Sequence, residues 1–199
     1  MHTATAVPSP VTKPELRARA LQVRRGYARS LDAELRDALE RQLMARVLPH
    51  VPFGAVVAGY SPLKDEIDPL PILGALDARG HFTALPWFAD RDAVMIFRRA
   101  PADEVGPWGV LQPASDASAV QPEIVLVPLV AFDITCNRIG HGKGHYDRAL
   151  ATLRHAGPVR TIGLAWEVQA LRAAVPADPW DIPLDAIATP DRWIERTDA

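Results

Sequence analysis

The run Glu123-Ile-Val-Leu-Val-Pro128 limits the possible fold more than any other stretch of this sequence. Its core is β-branched or leucine with no polar alternate, so a strand there needs both faces covered. Sheets buried on both faces belong to α/β proteins, where crossover helices supply the covers. The flanking segments read accordingly. Lys13 to Tyr27, rich in Arg, Leu and Ala, predicts a helix. Ser30 reads as the N-cap of a second helix, in which Leu31, Leu35, Leu39 and Leu43 form a buried stripe between charged residues. Gly54 to Gly59 predicts a short buried strand, Leu70 to Ala78 a helix closed by Gly80, and His81 to Leu85 a strand ended by Pro86. Ala93 to Arg98 reads as a strand, Gly144 to His155 as a helix, and Thr161 to Ala165 and Ala186 to Thr189 as the last strands. This alternation predicts a three-layer α/β/α domain with a largely parallel, Rossmann-like sheet. At 199 residues one domain is expected over 13–199, behind a Pro/Ser/Thr leader at 1–12 that reads as flexible.

Charge narrows the partners. The chain has 22 basic and 24 acidic residues and a net charge of −2, so no global field draws it to nucleic acid or an anionic membrane. No apolar run reaches the length of a membrane span, and the first residues lack the apolar core of a signal peptide. Cys136 is the single cysteine, which excludes an intramolecular disulfide and a multi-cysteine metal site. The expected compartment is the cytoplasm and the expected state a monomer.

Any anion site must therefore be local, and one segment stands out. After the Glu123–Pro128 strand the sequence reaches Arg138-Ile-Gly140-His-Gly142-Lys143-Gly144-His-Tyr146-Asp147-Arg148. In α/β sheets ligands bind beyond the carboxyl ends of the strands. Glycines at alternate positions let backbone N–H groups approach an anion, and Arg138, Lys143 and Arg148 add positive charge. The spacing is neither that of a P-loop nor that of a dinucleotide fingerprint, and such a turn can also serve only to swing a strand into a helix. Asp147, directly after the loop, would repel phosphate without an intervening cation; magnesium, which takes carboxylate and phosphate oxygens, is the natural one. Asp181 is a possible second carboxylate, with a turn cap as the alternative. His141 and His145 have the spacing of helical metal ligands, but the surrounding glycines oppose a regular helix, and Cys136 has no assigned base.

The run Asn137-Arg-Ile-Gly-His-Gly-Lys-Gly-His-Tyr-Asp147, preceded by Val127-Pro-Leu-Val-Ala-Phe-Asp133, resembles the signature of the 5-formyltetrahydrofolate cyclo-ligase family. Lys13-Pro-Glu-Leu-Arg17 is similar to that family's N-terminal phosphate-reaching helix. Ser61-Pro-Leu-Lys-Asp-Glu66-Ile-Asp68 resembles its substrate loop, and Trp108-Gly-Val-Leu-Gln-Pro113 the segment before its main strand. Ile162 to Gln169 and Val175 to Asp181 are similar to its closing strand and metal aspartate. The blocks keep family order along nearly the whole chain after the leader. His145 stands where the signature more often has Tyr, and His141 fills a variable position.

The resemblance implies ATP-dependent closure of 5-formyltetrahydrofolate, polyglutamylated or not, to 5,10-methenyltetrahydrofolate, with ADP and phosphate released. The γ-phosphoryl group would pass to the formyl oxygen, and N10 would then attack and expel phosphate. It further implies that Lys13, Arg17, Arg138, Gly140, His141, Gly142, Lys143 and Gly144 bind ATP, and that Ser61, Glu66, Trp108, His145 and Tyr146 bind the folate. Asp147 and Asp181 would hold Mg2+, with Arg138, Lys143 and Tyr146 closest to the chemistry. The alternative is a relative that binds folate or nucleotide without turnover.

Overall fold

The structure is a computed structural model that describes residues 12–197. The leader expected at 1–12 lies outside the described residues except for Thr12, whose N–H and hydroxyl both donate to the Glu15 carboxylate at 2.9 Å. That contact caps α1 (Lys13–Ser30). In chain order follow α2 (Ala33–Val47), β1 (Val56–Ala58), α3 (Leu70–Asp77), β2 (Phe82–Trp87) and β3 (Ile96–Arg99). Next are β4 (Glu104–Val105), β5 (Leu111–Gln112), β6 (Ile124–Pro128), β7 (Ala131–Phe132) and β8 (Arg138–Ile139). The chain closes with α4 (His145–Ala156), β9 (Arg160–Leu164), β10 (Ala186–Ala188) and β11 (Trp193–Glu195).

The main sheet has seven strands in the order β11-β10-β9-β6-β1-β2-β3. Every pairing from β10 through β2 is parallel, and only the edge strands β3 and β11 run antiparallel. The expected largely parallel α/β/α architecture is therefore borne out. β6 shows why its sequence has no polar alternate. Ile124 and Leu126 pack with Leu43 and Val47 of α2 and Leu73 and Leu76 of α3. Val125 and Val127 face the opposite layer, with Ala149 and Leu150 of α4. α1 packs through Leu16, Ala20 and Leu21 on Val130, Ala131 and Ile139, beside the β7–β8 hairpin.

Several sequence expectations are corrected. Ser30 is the last residue of α1, its hydroxyl donating to the Tyr27 carbonyl at 2.8 Å; the cap of α2 is Asp32, which accepts from the Leu35 N–H at 2.8 Å. The leucine stripe is not uniformly core, for Leu43 is fully buried but Leu35 is 48% exposed. A four-residue spacing drifts around a helix of 3.6 residues per turn, and the buried face of α2 is Glu40, Leu43 and Val47. Pro86 does not end β2 but lies within it, opposite Phe97. Pairing with β1 stops at Ala84, so no β1 carbonyl waits for the absent proline N–H. β3 begins at Ile96, not Ala93, because Asp90 accepts from the Asp92 and Ala93 N–H groups in a turn. The hairpins β4–β5 and β7–β8 were not anticipated, and the last strand is β11, not the one at 186–188; strands of two or three residues leave no periodicity to read.

Candidate active site

The chain does not pass directly from β6 into the glycine loop: β7 and β8 intervene and aim it. Their turn is built on the buried carboxylate of Asp133, which accepts from the Thr135 N–H at 2.9 Å, the Thr135 hydroxyl at 2.7 Å, the Asn137 N–H at 3.1 Å and the Val175 N–H at 2.8 Å. Burial works against this charge, but these donors outweigh it and hold Asp133 below the ordinary carboxylate value. Cys136 occupies the turn with φ 62°. Its thiol is pushed up to about 11, first by burial, so it is no nucleophile at neutral pH.

From β8 the loop Gly140–Gly144 leads into α4 beside a cavity of about 1070 Å³. Every residue assigned to ATP, folate or magnesium in the sequence lines this cavity: Lys13 and Arg17 from α1, Ser61 and Glu66 from the loop after β1, and Trp108 from the β4–β5 turn. Arg138, the residues from Gly140 to Asp147, and Asp181 complete that set. Gly142 and Gly144 have φ of 85° and 65°, the left-handed conformation in which glycine avoids a Cβ clash. Arg17 crosses over this loop, its Nε donating to the Gly140 carbonyl at 2.8 Å.

The charges at the cavity wall come in pairs. Lys13 Nζ contacts Asp178 at 3.0 Å and also bonds Asp181. Burial would lower the Lys13 pKa, but the two aspartates outweigh it and raise it. Asp181 is held low by Lys13 against burial. Arg138 donates to the Ile182 carbonyl and, at 2.6 Å, to Asp147 Oδ1. Lys143 is exposed and, among the described residues, makes only a cation–π approach to Trp108 at 5.8 Å. His141 Nε2 donates to Glu66 Oε1 at 3.1 Å, which ties the glycine loop to the loop after β1.

His145, the departure from the more usual tyrosine, stands edge-on to Phe88 at 5.0 Å and to Trp108 at 5.6 Å. Burial, then Arg148 and Lys143, lowers its pKa. Arg148 can only donate, so His145 Nδ1 accepts at 3.2 Å and the ring is neutral. Burial first, and the Glu66 charge second, push the Tyr146 phenol well above its ordinary value. It can donate a hydrogen bond but cannot act as a base at neutral pH.

No cluster of three or more His, Cys, Asp or Glu gathers among the described residues. Asp147 and Asp181 each have one oxygen engaged by a cation and a backbone N–H, while the other oxygen makes no hydrogen bond with the described residues. Two such carboxylates suit magnesium sharing its shell with phosphate oxygens and water, not a metal held by protein alone. Sequence reasoning missed Asp178 and Arg24. Asp178 lies between two singled-out residues, Val175 and Asp181, with nothing to mark it. Arg24 did carry a signal, since it lies seven residues after Arg17 and so on the same helix face.

The profile of the 5-formyltetrahydrofolate cyclo-ligase family matches residues 10–190. The 5-formyltetrahydrofolate cyclo-ligase of Escherichia coli K12 is 29% identical over 174 residues, covering 82% of this chain and 94% of its own. That of Mycolicibacterium smegmatis is 28% identical over 201 residues, covering 94% and 97%. The solved 5,10-methenyltetrahydrofolate synthetase of Aquifex aeolicus superposes with a TM-score of 0.76 at 29% identity over 95% of each chain. The one from Mycoplasma pneumoniae gives 0.69 at 26% identity over 90% of this chain and 99% of its own. With the family profile spanning residues 10–190 and the fold shared with a solved synthetase, this chain belongs to the 5-formyltetrahydrofolate cyclo-ligase family.

Proposed function

We propose that residues 13–199 work as one enzyme domain that converts 5-formyltetrahydrofolate and ATP to 5,10-methenyltetrahydrofolate, ADP and phosphate. A formyl amide is a poor electrophile, and its oxygen leaves poorly. Phosphorylation of that oxygen, breaking the bond between the γ-phosphorus and ADP, turns it into a phosphate leaving group. N10 then attacks the formyl carbon and loses its proton, and the carbon–oxygen bond breaks as phosphate departs. Such a reaction needs alignment and charge neutralisation rather than a protein nucleophile.

The protein's part is to hold both substrates in line. Lys13, Arg17, Arg138 and Lys143, with the amides of Gly140, Gly142 and Gly144 and the His141 side of the loop, bind the ATP phosphates. Ser61, Glu66, Trp108, His145 and Tyr146 bind the folate, and Tyr146 donates a hydrogen bond while keeping its proton. His145 supplies a neutral flat ring between Phe88 and Trp108, as a tyrosine would. Asp147 and Asp181 would hold Mg2+, whose charge offsets that of the transferred phosphoryl oxygens. The reading is supported above all by one observation: phosphate-type cations and a folate-type aromatic wall meet in one cavity of a chain of this family.

The test is a spectrophotometric assay of methenyltetrahydrofolate formed from 5-formyltetrahydrofolate, with ATP and magnesium each supplied or omitted. Product is expected only with both. Lys143→Ala and Asp147→Ala are expected to lower kcat roughly a hundredfold or more with the fold intact. Product without ATP, or near-normal turnover in either variant, refutes the assignment.

A further inference from the structure

The loop that carries Ser61 and Glu66 has no helix or strand of its own between β1 and α3. Within it one backbone bond, Glu66 N–H to the Leu63 carbonyl at 2.9 Å, closes the turn. Side-chain ties place it: Ser61 Oγ donates to the Leu111 carbonyl at 2.6 Å, Trp166 Nε1 to the Asp65 carbonyl at 3.2 Å, and Arg24 of α1 holds both carboxylates of the Asp65–Glu66 turn. Arg24 is 1% exposed. Its Nε donates to Asp65 Oδ2 at 2.9 Å, and one terminal nitrogen donates to Glu66 Oε1 at 3.3 Å and to the Leu129 carbonyl at 3.1 Å. The Leu129 carbonyl is itself held by Gln169 Nε2 at 2.7 Å, just past the end of β6. Arg24 does not line the cavity, whereas Glu66 does.

Glu66 is thus gripped from three directions: Arg24 beneath, the Leu63 N–H at 2.9 Å within the turn, and His141 Nε2 at 3.1 Å across the cavity wall. A guanidinium can serve three acceptors on separate segments because its donors form a rigid fork; an ammonium cannot span them. We propose that Arg24 is a positioning residue of the cyclo-ligase reaction: it locks the Asp65–Glu66 turn to the end of β6 and so sets Glu66 against the folate. This rests on the proposed reading of Glu66 as a folate contact. The same helix lays Arg17 on the Gly140 carbonyl of the glycine loop, so α1 ties the folate turn and the phosphate loop to one another.

The experiment is a two-substrate kinetic comparison of the native enzyme with Arg24→Lys, Asp65→Asn, Glu66→Gln and the Arg24→Lys/Glu66→Gln double variant. Arg24→Lys keeps the charge and loses the fork; it is expected to raise KM for 5-formyltetrahydrofolate roughly tenfold or more and to leave KM for ATP within about twofold. Asp65→Asn, at a partly exposed position outside the cavity lining, is expected to raise the same KM about threefold. In the double variant the Arg24 effect should vanish, leaving KM within about twofold of Glu66→Gln alone. Multiplying effects in the double variant, or equal rises in both KM values, overturn the positioning role and leave the folate reading standing. A Glu66→Gln enzyme with native KM for folate overturns that reading, and the proposal with it. Should Arg24→Lys not fold, Asp65→Asn decides alone: an unchanged KM for the folate overturns the proposal.

Discussion

Alanine at Gly142 and alanine at Gly144 place the same methyl group in the same loop with different consequences. Both glycines have positive φ, where an L side chain costs ~1–2 kcal/mol. For a domain of this size that lowers Tm by roughly 2–8 °C in either variant. What differs is the neighbour. A Cβ on Gly142 would lie 3.2 Å from Arg17 Cζ, with both terminal nitrogens at 3.4 and 3.5 Å. Arg17 cannot withdraw freely, because its Nε is bonded to the Gly140 carbonyl at 2.8 Å, and a hydrogen bond from a charged donor is worth ~1.5–3 kcal/mol. A Cβ on Gly144 would meet Arg148 at 3.0 Å, but that is the tip of an exposed side chain whose one partner there is His145. If Arg17 grips phosphate, losing about 1.4 kcal/mol of its contact raises KM for ATP about tenfold. Gly142→Ala should therefore raise KM for ATP roughly tenfold more than Gly144→Ala does. The assay is ATP titration at saturating folate, paired with thermal melts. Equal KM values for ATP in the two variants, at similar losses of Tm, refute the role of Arg17.

The Lys13–Asp181 pair gives a pH prediction. A lysine with raised pKa contributes stability below its unfolded value of about 10.4 and loses it as pH climbs through the folded value; an aspartate with lowered pKa contributes above about 3.9 and loses it as pH falls through its folded value. The 178–181 turn should stay fully attached to α1 between those limits. The protection factor of the Asp181 amide, bonded to the Asp178 carbonyl at 2.9 Å, should fall in acid below the window; unchanged protection down to about pH 2 refutes the coupling. In α2, Leu43→Ala is expected to cost ~2–5 kcal/mol by urea denaturation and Leu35→Ala at most about 0.5, and equal costs would contradict the observed burial.

The parts of the fold that the sequence made legible are those where one physical signal dominates a long enough stretch. β6 had to be covered on both faces, and it is. α4 follows a loop whose glycines cannot extend the helix backward, so its start at His145 was nearly visible. Pro86 was misread because whether a proline ends a strand depends on which neighbour needs its N–H, a matter of register across the sheet. The β7–β8 hairpin was missed because its two-residue strands leave no periodicity, and only part of what holds its turn is local: Asp133 accepts from Thr135 and Asn137 but also from Val175, 42 residues away. The candidate site was legible wherever charge, glycine and aromatic residues shared one segment. The spacing from Arg17 could have placed Arg24 on the same helix face, but its partners Asp65, Glu66 and Leu129 are brought to it only by the fold.

That hidden layer also bears on how a chain of net charge −2 would present the polyphosphate site proposed above. Lys13 is held by Asp181 and Asp178, Arg138 by Asp147, and Arg24 beneath by Asp65 and Glu66. A cation already fixed by a carboxylate loses little conformational freedom when a ligand arrives, which is the advantage of preorganisation. The same carboxylates would repel an incoming phosphate, so pairing alone would weaken the site it orders. On the proposed reading a divalent cation would remove the conflict, with Asp147 and Asp181 as its ligands and its charge offsetting that of the phosphates. Arg17, Lys143 and Arg148, which form no ion pair among the described residues, supply the unshared positive charge. In the proposed site, paired cations would set geometry and unpaired cations would attract, and on that division the acids of this cavity are compatible with an anion site and do not argue against it.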